Sequence, residues 1–233
     1  MLPLLTRLKG IALNLFFPQW CVGCGKEGDF VCYSCRQSLP RIMPPLCPRC
    51  GKSQPSGILC PSCISWQAEI DGIRSPFRFD GVIRQAIYQL KYRNLRALIV
   101  PLAQLLNDYL VSSPLPGEAL VPVPLHHKRL RERGYNQSSL LAQELGKLIN
   151  LPVIDDWLIR LRHAPPQART STVEERRSNV AGAFTCRDHR LRGKPVLLID
   201  DVSTSGATLD ACAAALKATE VTSVWGLVLA REI

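Results

Sequence analysis

The residues with the clearest chemical potential lie in one short segment, VLLIDDVSTSGATL, which spans residues 196–209. Two adjacent carboxylates, Asp200 and Asp201, end an apolar run that predicts a buried strand. Ligands of open parallel sheets bind at the carboxyl ends of the strands. We therefore expect this acidic pair to be the catalytic candidate, binding ligand hydroxyl groups or a Mg²⁺ ion that the ligand's phosphates share.

The residues directly after the acidic pair are small and rich in hydroxyl groups. They precede a predicted helix, whose first N–H groups would point back at them and favour an anion. A nucleoside triphosphatase would also need a G-x4-G-K-[ST] motif, which the sequence lacks. A simple helix-capping turn would explain neither the paired carboxylates nor the hydroxyl groups. We predict that a phosphate group binds this anion loop, which consists of Thr204, Ser205, Gly206, Ala207 and Thr208.

Eight of the ten cysteines form four pairs with the spacing C-x2-C. Two such pairs supply the four thiolates of a tetrahedral zinc site, so we expect two structural zinc ions. Spacing alone leaves open whether successive pairs share an ion or the pairs are cross-braced, first with third and second with fourth. A disulfide framework would instead require an oxidising compartment. The expected ligands are Cys21, Cys24, Cys32, Cys35, Cys47, Cys50, Cys60 and Cys63.

Two further segments carry positive charge that a phosphate-bearing ligand would neutralise. The first, the basic block, follows a predicted strand and is expected to bind pyrophosphate or another anion; DNA phosphate and a solvated loop are the alternatives. The second, residues 162–180, is a long polar connection that predicts a mobile lid, with an ordered surface loop as the alternative. The basic block consists of Lys128, Arg129, Arg131 and Arg133.

Strands and helices alternate in the predicted order of elements from residue 119 onward. This order indicates a parallel sheet flanked by helices, which places the acidic pair and the basic block at the same edge. Before residue 119, leucine and isoleucine spacing predicts two helices. Strands are predicted at 119–125, near 153–160, at 195–202 and at the end of the chain, with a strand pair at 70–80.

The composition is that of a folded, basic protein. Of the 233 residues, 46% are hydrophobic, too many for a disordered chain. No apolar run approaches the roughly 20 residues of a membrane span, so none is expected. The net charge of +10 concentrates in residues 1–66, with seven basic and two acidic residues, and in 119–180, with ten and six. Such excess favours polyanionic partners.

The chain divides into three expected parts. Residues 1–20 predict a short amphipathic helix, because the segment is interrupted by Arg7 and Lys9 and lacks the cleavage site of a signal peptide. A double zinc ribbon at 21–66 and an α/β domain at 67–233 follow. With no export signal, the protein is expected to be cytoplasmic.

Residues 196–208 resemble the phosphoribosyl-pyrophosphate (PRPP) motif of type I phosphoribosyltransferases. The resemblance implies that Asp200 and Asp201 contact ribose hydroxyl groups, that the anion loop holds the 5′-phosphate, and that Mg²⁺ accompanies PRPP. Ser205 stands where threonine is more common, which keeps the hydroxyl group.

Two other segments narrow the resemblance to the ComF family and its GntX-like members. They are VPVPLHHKRLRERGYNQ at 121–137 and RHAPPQARTSTVEERRSNVAGAF at 162–184. The double zinc ribbon is also similar to that of the family, which is associated with competence and with the use of external DNA. The flexible loop over the ligand would then include Gln167, Arg169, Arg176 and Asn179.

This resemblance implies a protein that binds PRPP or a related phosphoribosyl ligand and serves the uptake or utilisation of DNA. Phosphoribosyl transfer to an unidentified acceptor is one implied activity, and DNA-uptake proteins are implied partners. The alternative is a nonenzymatic zinc-ribbon protein that binds single-stranded DNA and whose PRPP pocket is a sensor or vestigial. There, Trp20, Tyr33 and Trp66 would stack on bases unless they are core residues. A salvage enzyme unrelated to DNA would leave the zinc ribbon unexplained.

Overall fold

A computed structural model describes residues 19–162, 175 and 179–232. Its centre is a parallel sheet in which two long strands lie side by side. The strands are β1 (Gly72–Arg74), β2 (Phe77–Arg78), β3 (Ala119–Pro122), β4 (Leu158–Arg160), β5 (Phe184–Cys186), β6 (Pro195–Ser203) and β7 (Ser223–Arg231). The helices are α1 (Tyr33–Gln37), α2 (Pro61–Ile64), α3 (Gly81–Tyr92), α4 (Ile99–Ser112), α5 (His127–Arg133), α6 (Gln137–Ile149) and α7 (Ala207–Lys217), with a 3₁₀ turn at Arg96–Leu98.

The sheet is built on β6 and β7, which pair in parallel from Pro195↔Ser223 to Ser203↔Arg231. β3 runs parallel to β6 on one side, and β1 and β2 both run parallel to β7 on the other. The carboxyl ends of β3, β6 and β7 therefore lie at one edge of the sheet.

Both faces of the sheet are covered, which explains the continuous apolar run in β6. Leu197 and Ile199 pack with α3, α4 and α6 on one face. Val196 and Leu198 pack on the other face with α7, with β4 and β5, and with the second group of cysteines. A strand buried on both faces cannot alternate apolar and polar residues. The expected parallel sheet flanked by helices is confirmed.

Two local expectations differ from the structure. The segment predicted as one strand near 153–160 splits: Val153 makes a single parallel bridge to Leu120, and β4 pairs antiparallel with β5 in a separate small sheet. The strand pair predicted at 70–80 does form two strands, but both pair with β7 and not with each other. The edge of β7 that faces away from β6 is longer than either short strand, and both short strands form hydrogen bonds with it.

Three caps place the site residues. Asn136 accepts a hydrogen bond from Ser138 N (3.1 Å) and so starts α6 beside the end of β6. Gly134 ends α5 in the left-handed region (φ 78°), which turns the chain sharply from α5 into α6. Gly206, also left-handed (φ 82°), lies within the anion loop and is the N-cap residue of α7.

Candidate functional site

The acidic pair lies at the carboxyl end of β6, and its two side chains have different surroundings. Asp200 lines a small cavity together with residues 202–209. Asp201 is 2% exposed and does not line that cavity. The sequence predicts one role for both carboxylates, whereas the structure gives Asp200 the accessible position.

Asp200 is held by the start of α6. The hydroxyl group of Ser138 donates to Asp200 Oδ1 at 2.7 Å, and Asp201 N donates to the same oxygen at 2.9 Å. Burial, together with the adjacent charge of Asp201, raises the pKa of Asp200 to about 7. A carboxyl group that titrates near neutral pH beside a cavity is characteristic of functional sites.

Asp201 is neutralised by a lysine that the sequence analysis did not single out. Lys91 Nζ, near the end of α3, lies 2.6 Å from Asp201 Oδ2. Although burial opposes it, the Asp201 carboxylate raises the pKa of Lys91. Gln137 Nε2 donates to Asp201 Oδ1 at 3.4 Å. No local signal marks these partners, because Lys91 and Gln137 lie far from Asp201 in the chain.

The anion loop and Asp200 line a cavity of about 50 Å³. Whole-ligand pockets usually measure about 300–1,000 Å³, so this space suits one small group of a larger ligand. The first turn of α7 leaves N–H groups without intrahelical partners there. The cavity is also lined by Ser203, whose buried hydroxyl group has no hydrogen-bond partner among the described residues. The arrangement can hold an anion.

The basic block occupies α5, which follows β3 at the same edge of the sheet. Lys128 and Arg131 are exposed, whereas Arg129 and Arg133 are half-buried. Arg133 Nη1 donates to Gln137 Oε1, which links the block to the acidic pair through one side chain.

A further arginine, which the sequence analysis did not predict, lies near the pair. The charge of Arg160 in β4 interacts with those of Arg129 and Asp200. Burial lowers the pKa of Arg160, and the positive charge of Arg129 lowers it further. The charges of Lys91 in α3 and of Arg160 in β4 therefore both interact with that of Asp200.

Most of the predicted lid lies outside the described residues. Gln167, Arg169 and Arg176 belong to this part of the chain, as do residues 1–18 of the predicted N-terminal helix. Asn179 is described: it is exposed, and its backbone N–H donates to Glu175 O at 3.0 Å. The ligand contacts expected of these residues stay predictions.

The cysteines form two groups of four, in the sequential pairing. In each group the four Sγ atoms lie within 4.8 Å of one another. Cys24 and Cys32 Sγ are 3.5 Å apart, and Cys50 and Cys60 Sγ are 3.7 Å apart. Zn–S bonds of about 2.3 Å give a tetrahedron with edges of about 3.8 Å, so the spacing fits zinc. We name residues 21–35 the first ribbon and residues 47–63 the second ribbon.

Backbone N–H groups stabilise the thiolates that a zinc ion needs. Cys32 N donates to Cys21 Sγ at 3.4 Å, and Cys60 N donates to Cys47 Sγ at 3.5 Å. Although burial opposes it, such donors lower the pKa of Cys21 and of Cys47 to about 6. The two groups are zinc-binding sites of the structural type, with four protein ligands each.

The three aromatic residues near the cysteines differ in exposure. Trp20 is 54% exposed and Tyr33 is 75% exposed, whereas Trp66 is 4% exposed and packs in the core beside the second ribbon. Stacking of Trp66 on a base is therefore excluded in this conformation. None of the helices in the described part of the chain has the length and apolar character that crossing a membrane requires.

The N-terminal part matches a known family directly. The family model of the double zinc ribbon domain covers residues 12–64. This range agrees with the grouping of the cysteines. The exact boundaries predicted from the sequence, 1–20, 21–66 and 67–233, stay predictions.

Curated relatives match most of the chain. It is 31% identical over 191 residues to competence protein ComFC of Bacillus subtilis, covering 79% of this chain and 76% of that protein. It is 30% identical to competence protein F of Haemophilus influenzae, covering 91% of this chain and 97% of that protein. DNA utilization protein YhgH of Salmonella typhi is 28% identical and is covered over 80% of its length.

Solved structures of phosphoribosyltransferases are similar to part of the chain. Adenine phosphoribosyltransferase from Leishmania tarentolae is 14% identical, with 68% of this chain and 78% of that chain covered and a TM-score of 0.36. The family assignment comes instead from the curated relatives, of which the chain covers at least three quarters. By these relatives and by its double zinc ribbon, the chain belongs to the ComF family of competence and DNA-utilization proteins.

Proposed function

We propose that this protein binds PRPP or a related phosphoribosyl ligand at the carboxyl end of β6, and that it serves the uptake or utilisation of external DNA. The observation that carries the ligand proposal is the cavity between Asp200 and the start of α7. The DNA role is inferred from the names of the curated relatives.

In this proposal, each part of the ligand would contact a particular group in the site. The 5′-phosphate would accept hydrogen bonds from the N–H groups of the anion loop and from the unpaired hydroxyl group of Ser203. The ribose hydroxyl groups would donate to the carboxyl group of Asp200, which lines the cavity. Asp201 is already paired with Lys91, so it would act through its charge next to Asp200.

The pyrophosphate of PRPP would extend toward α5. Arg129 and Arg133 are the half-buried members of the basic block, and both lie on the helix that follows β3. Mg²⁺ arrives with the ligand in this proposal and neutralises its phosphates. If the protein catalyses transfer, these arginines would stabilise the negative charge of the departing pyrophosphate.

Calorimetric titration with PRPP and Mg²⁺ tests the ligand assignment. We expect the wild type to bind, Asp200→Asn to lose at least tenfold in affinity, and Asp188→Asn to bind as the wild type does, because Asp188 is an exposed carboxylate outside the site. Equal binding by wild type and Asp200→Asn would remove the carboxylate assignment. Release of pyrophosphate, assayed against a panel of bases and amines, would establish transfer.

The second candidate function is binding of single-stranded DNA by the first ribbon. Exposed Trp20, directly before this ribbon, and exposed Tyr33 within it favour this function, because bases stack on aromatic side chains. Tyr33 and Arg36 also line a groove of about 700 Å³ between this ribbon and α4.

Mobility-shift titrations at several salt concentrations test the DNA proposal. We expect Trp20→Ala and Tyr33→Ala to weaken the binding of an oligonucleotide, while Tyr88→Ala, which removes an exposed ring from α3, does not. Asp200→Asn should also leave DNA binding intact. Equal effects of the ribbon and α3 substitutions would exclude a specific stacking surface.

We infer a cytoplasmic location from the cysteines. All ten are free of disulfide bonds, and eight are grouped for zinc. Reduced, metal-binding cysteines are typical of compartments in which thiols are kept reduced.

A further inference from the structure

The segment that follows the second ribbon is hydrogen-bonded to α7, the helix that begins within the anion loop. The carboxylate of Asp210, in the first turn of α7, accepts hydrogen bonds from Glu69 N (2.8 Å) and Ile70 N (3.0 Å) through Oδ1. Its Oδ2 accepts one from Trp66 Nε1 (3.3 Å). Asp210 N in turn donates to Gly206 O (3.0 Å). The carboxylate of Asp210 thus connects the segment that follows the second ribbon to the helix that begins within the anion loop.

Trp66 also limits the position of the loop by contact. A Cβ atom at Gly206 would lie 2.8 Å from Ile73 Cδ1 and 3.0 Å from Trp66 Cη2. Gly206 is therefore in close contact with two side chains next to the second ribbon. A shift of either would change the space in which the loop turns.

Trp66 is in turn fixed by the first C-x2-C turn of the second ribbon. Arg49, between Cys47 and Cys50, donates from Nη1 to Trp66 O and to Cys63 O (3.3 Å). Arg49 O accepts a hydrogen bond from Ile73 N at 2.7 Å. One residue inside the cysteine turn is therefore hydrogen-bonded to the main chain of both residues whose side chains lie against Gly206.

A buried arginine forms a second connection between the ribbon and the cavity. Arg231 is 2% exposed at the end of β7, where its partner in the sheet is Ser203 of the cavity. Its Nε and Nη1 atoms have no hydrogen-bond partner in the described ranges. Its charge interacts with those of the four cysteines of the second ribbon. Zinc held by four thiolates carries a net charge of about −2, which would compensate this buried cation.

We propose that the second ribbon positions the anion loop, so that loss of zinc from this site alone weakens the binding of a phosphate-bearing ligand. Arg49, Trp66 and Asp210 are the positioning residues. The inference rests on the proposed function, since it assumes that the loop binds phosphate.

The first ribbon provides an internal control. It packs on the other face of the sheet, where Cys21 and Cys35 belong to the same core as α3 and α4. Arg36, directly after this ribbon, forms an ion pair with Asp108 of α4 at 3.3 Å. No hydrogen bond or ion pair described for it reaches residues 204–210. Zinc at the first site should therefore stabilise the protein without changing ligand affinity.

The test compares two variants that each lose one zinc ion. Metal content is measured together with the affinity for Mg²⁺ and ribose 5-phosphate by calorimetry. We expect Cys60→Ser to bind the ligand at least tenfold more weakly, and Cys24→Ser to remain within about twofold of the wild type. Equal losses in the two variants, or no loss in Cys60→Ser, would overturn the proposal.

Variants that keep both zinc ions distinguish an effect on the position of the loop from a general loss of stability. Asp210→Ala should weaken ligand binding at least fivefold. Asp210→Asn, whose amide oxygen can still accept from Glu69 N and Ile70 N, should recover part of it. Asp71→Ala is the matched control: it removes a carboxylate that accepts from Val224 N (2.7 Å) and pairs with Lys217 at the far end of α7 (3.2 Å), and so costs stability away from the loop. An affinity loss that follows the fall in melting temperature across these variants would contradict positioning.

Hydrogen exchange distinguishes this inference from the proposed function. We expect the amides of residues 204–208 to exchange faster in Cys60→Ser and Asp210→Ala than in Cys24→Ser, with no ligand present. If the wild type bound no phosphoribosyl ligand, the proposed function would fail, while faster exchange would still support the positioning. Unchanged exchange in all variants would overturn the positioning itself.

Discussion

At the scale of single residues, the site depends on two adjacent carboxylates with different environments. Asp200 faces the cavity and accepts from Ser138, whereas Asp201 is buried against Lys91. Burial, together with the nearby charge of Asp201, disfavours ionisation of Asp200 and raises its pKa to about 7. We therefore assign a proton to Asp200 below about pH 7.

This assignment predicts a pH-dependent stability. The folded protein binds a proton at Asp200 up to about pH 7, whereas an unfolded carboxyl group releases it near 3.8. The stabilisation is therefore complete below about pH 4 and is lost as the pH rises to 7 and above. Asp200→Asn removes this titration, so its melting temperature relative to wild type should rise between pH 5 and pH 8. A difference that is constant across this range would contradict the assignment.

The ion pair behind Asp200 gives a second prediction. Lys91→Met leaves the Asp201 carboxylate buried without its cation, which should cost about 3 kcal/mol of unfolding free energy. Combining it with Asp201→Asn removes the unpaired charge, so the double variant should recover much of that loss. Urea denaturation of the two single variants and the double variant measures the coupling. Strictly additive losses would show that the two side chains do not stabilise each other.

At the scale of elements, the anion loop depends on a glycine for two separate reasons. Gly206 has φ 82°, and its missing side chain leaves room for Trp66 and Ile73. Gly193 has φ 75° with nothing near its Cβ position, so only its backbone conformation favours glycine there.

The two glycines make a matched pair of substitutions. Gly193→Ala should cost about 1–2 kcal/mol from the left-handed backbone, with ligand affinity unchanged. Gly206→Ala should cost more than this and should weaken ribose 5-phosphate binding at least tenfold. Thermal unfolding and calorimetry measure both effects. Equal stability losses, or equal affinities, would contradict the close packing of the loop.

At the scale of the whole molecule, each face of the sheet carries one zinc ribbon. The first packs with α3 and α4, and the second packs with α7 and the small sheet. The protein purified without chelator should therefore contain close to two zinc ions per chain by elemental analysis. Removing both should lower the melting temperature, because zinc binding contributes to folding. A protein without zinc that unfolds at the same temperature would overturn the ribbon assignment.

The sequence predicts those parts of the fold that short-range patterns encode. The C-x2-C turns and the apolar run before Asp200 are local, so the ribbons and the strand can be predicted from them. Lys91 and Ser138 are not predictable in this way, because only the packing of α3 and α6 on the sheet brings them to the acidic pair. β5 is missed because three residues are too few to show a period. The sequence leaves Trp66 open between a base-stacking surface and the core, and the fold shows it buried against Gly206.

The most direct test of the central proposal is a crystal structure of the protein with PRPP and Mg²⁺. We expect the 5′-phosphate in the cavity lined by Ser203 and the anion loop, and the ribose hydroxyl groups within hydrogen-bond distance of Asp200. Ligand density elsewhere on the molecule, or an empty cavity at saturating ligand concentration, would contradict the proposal.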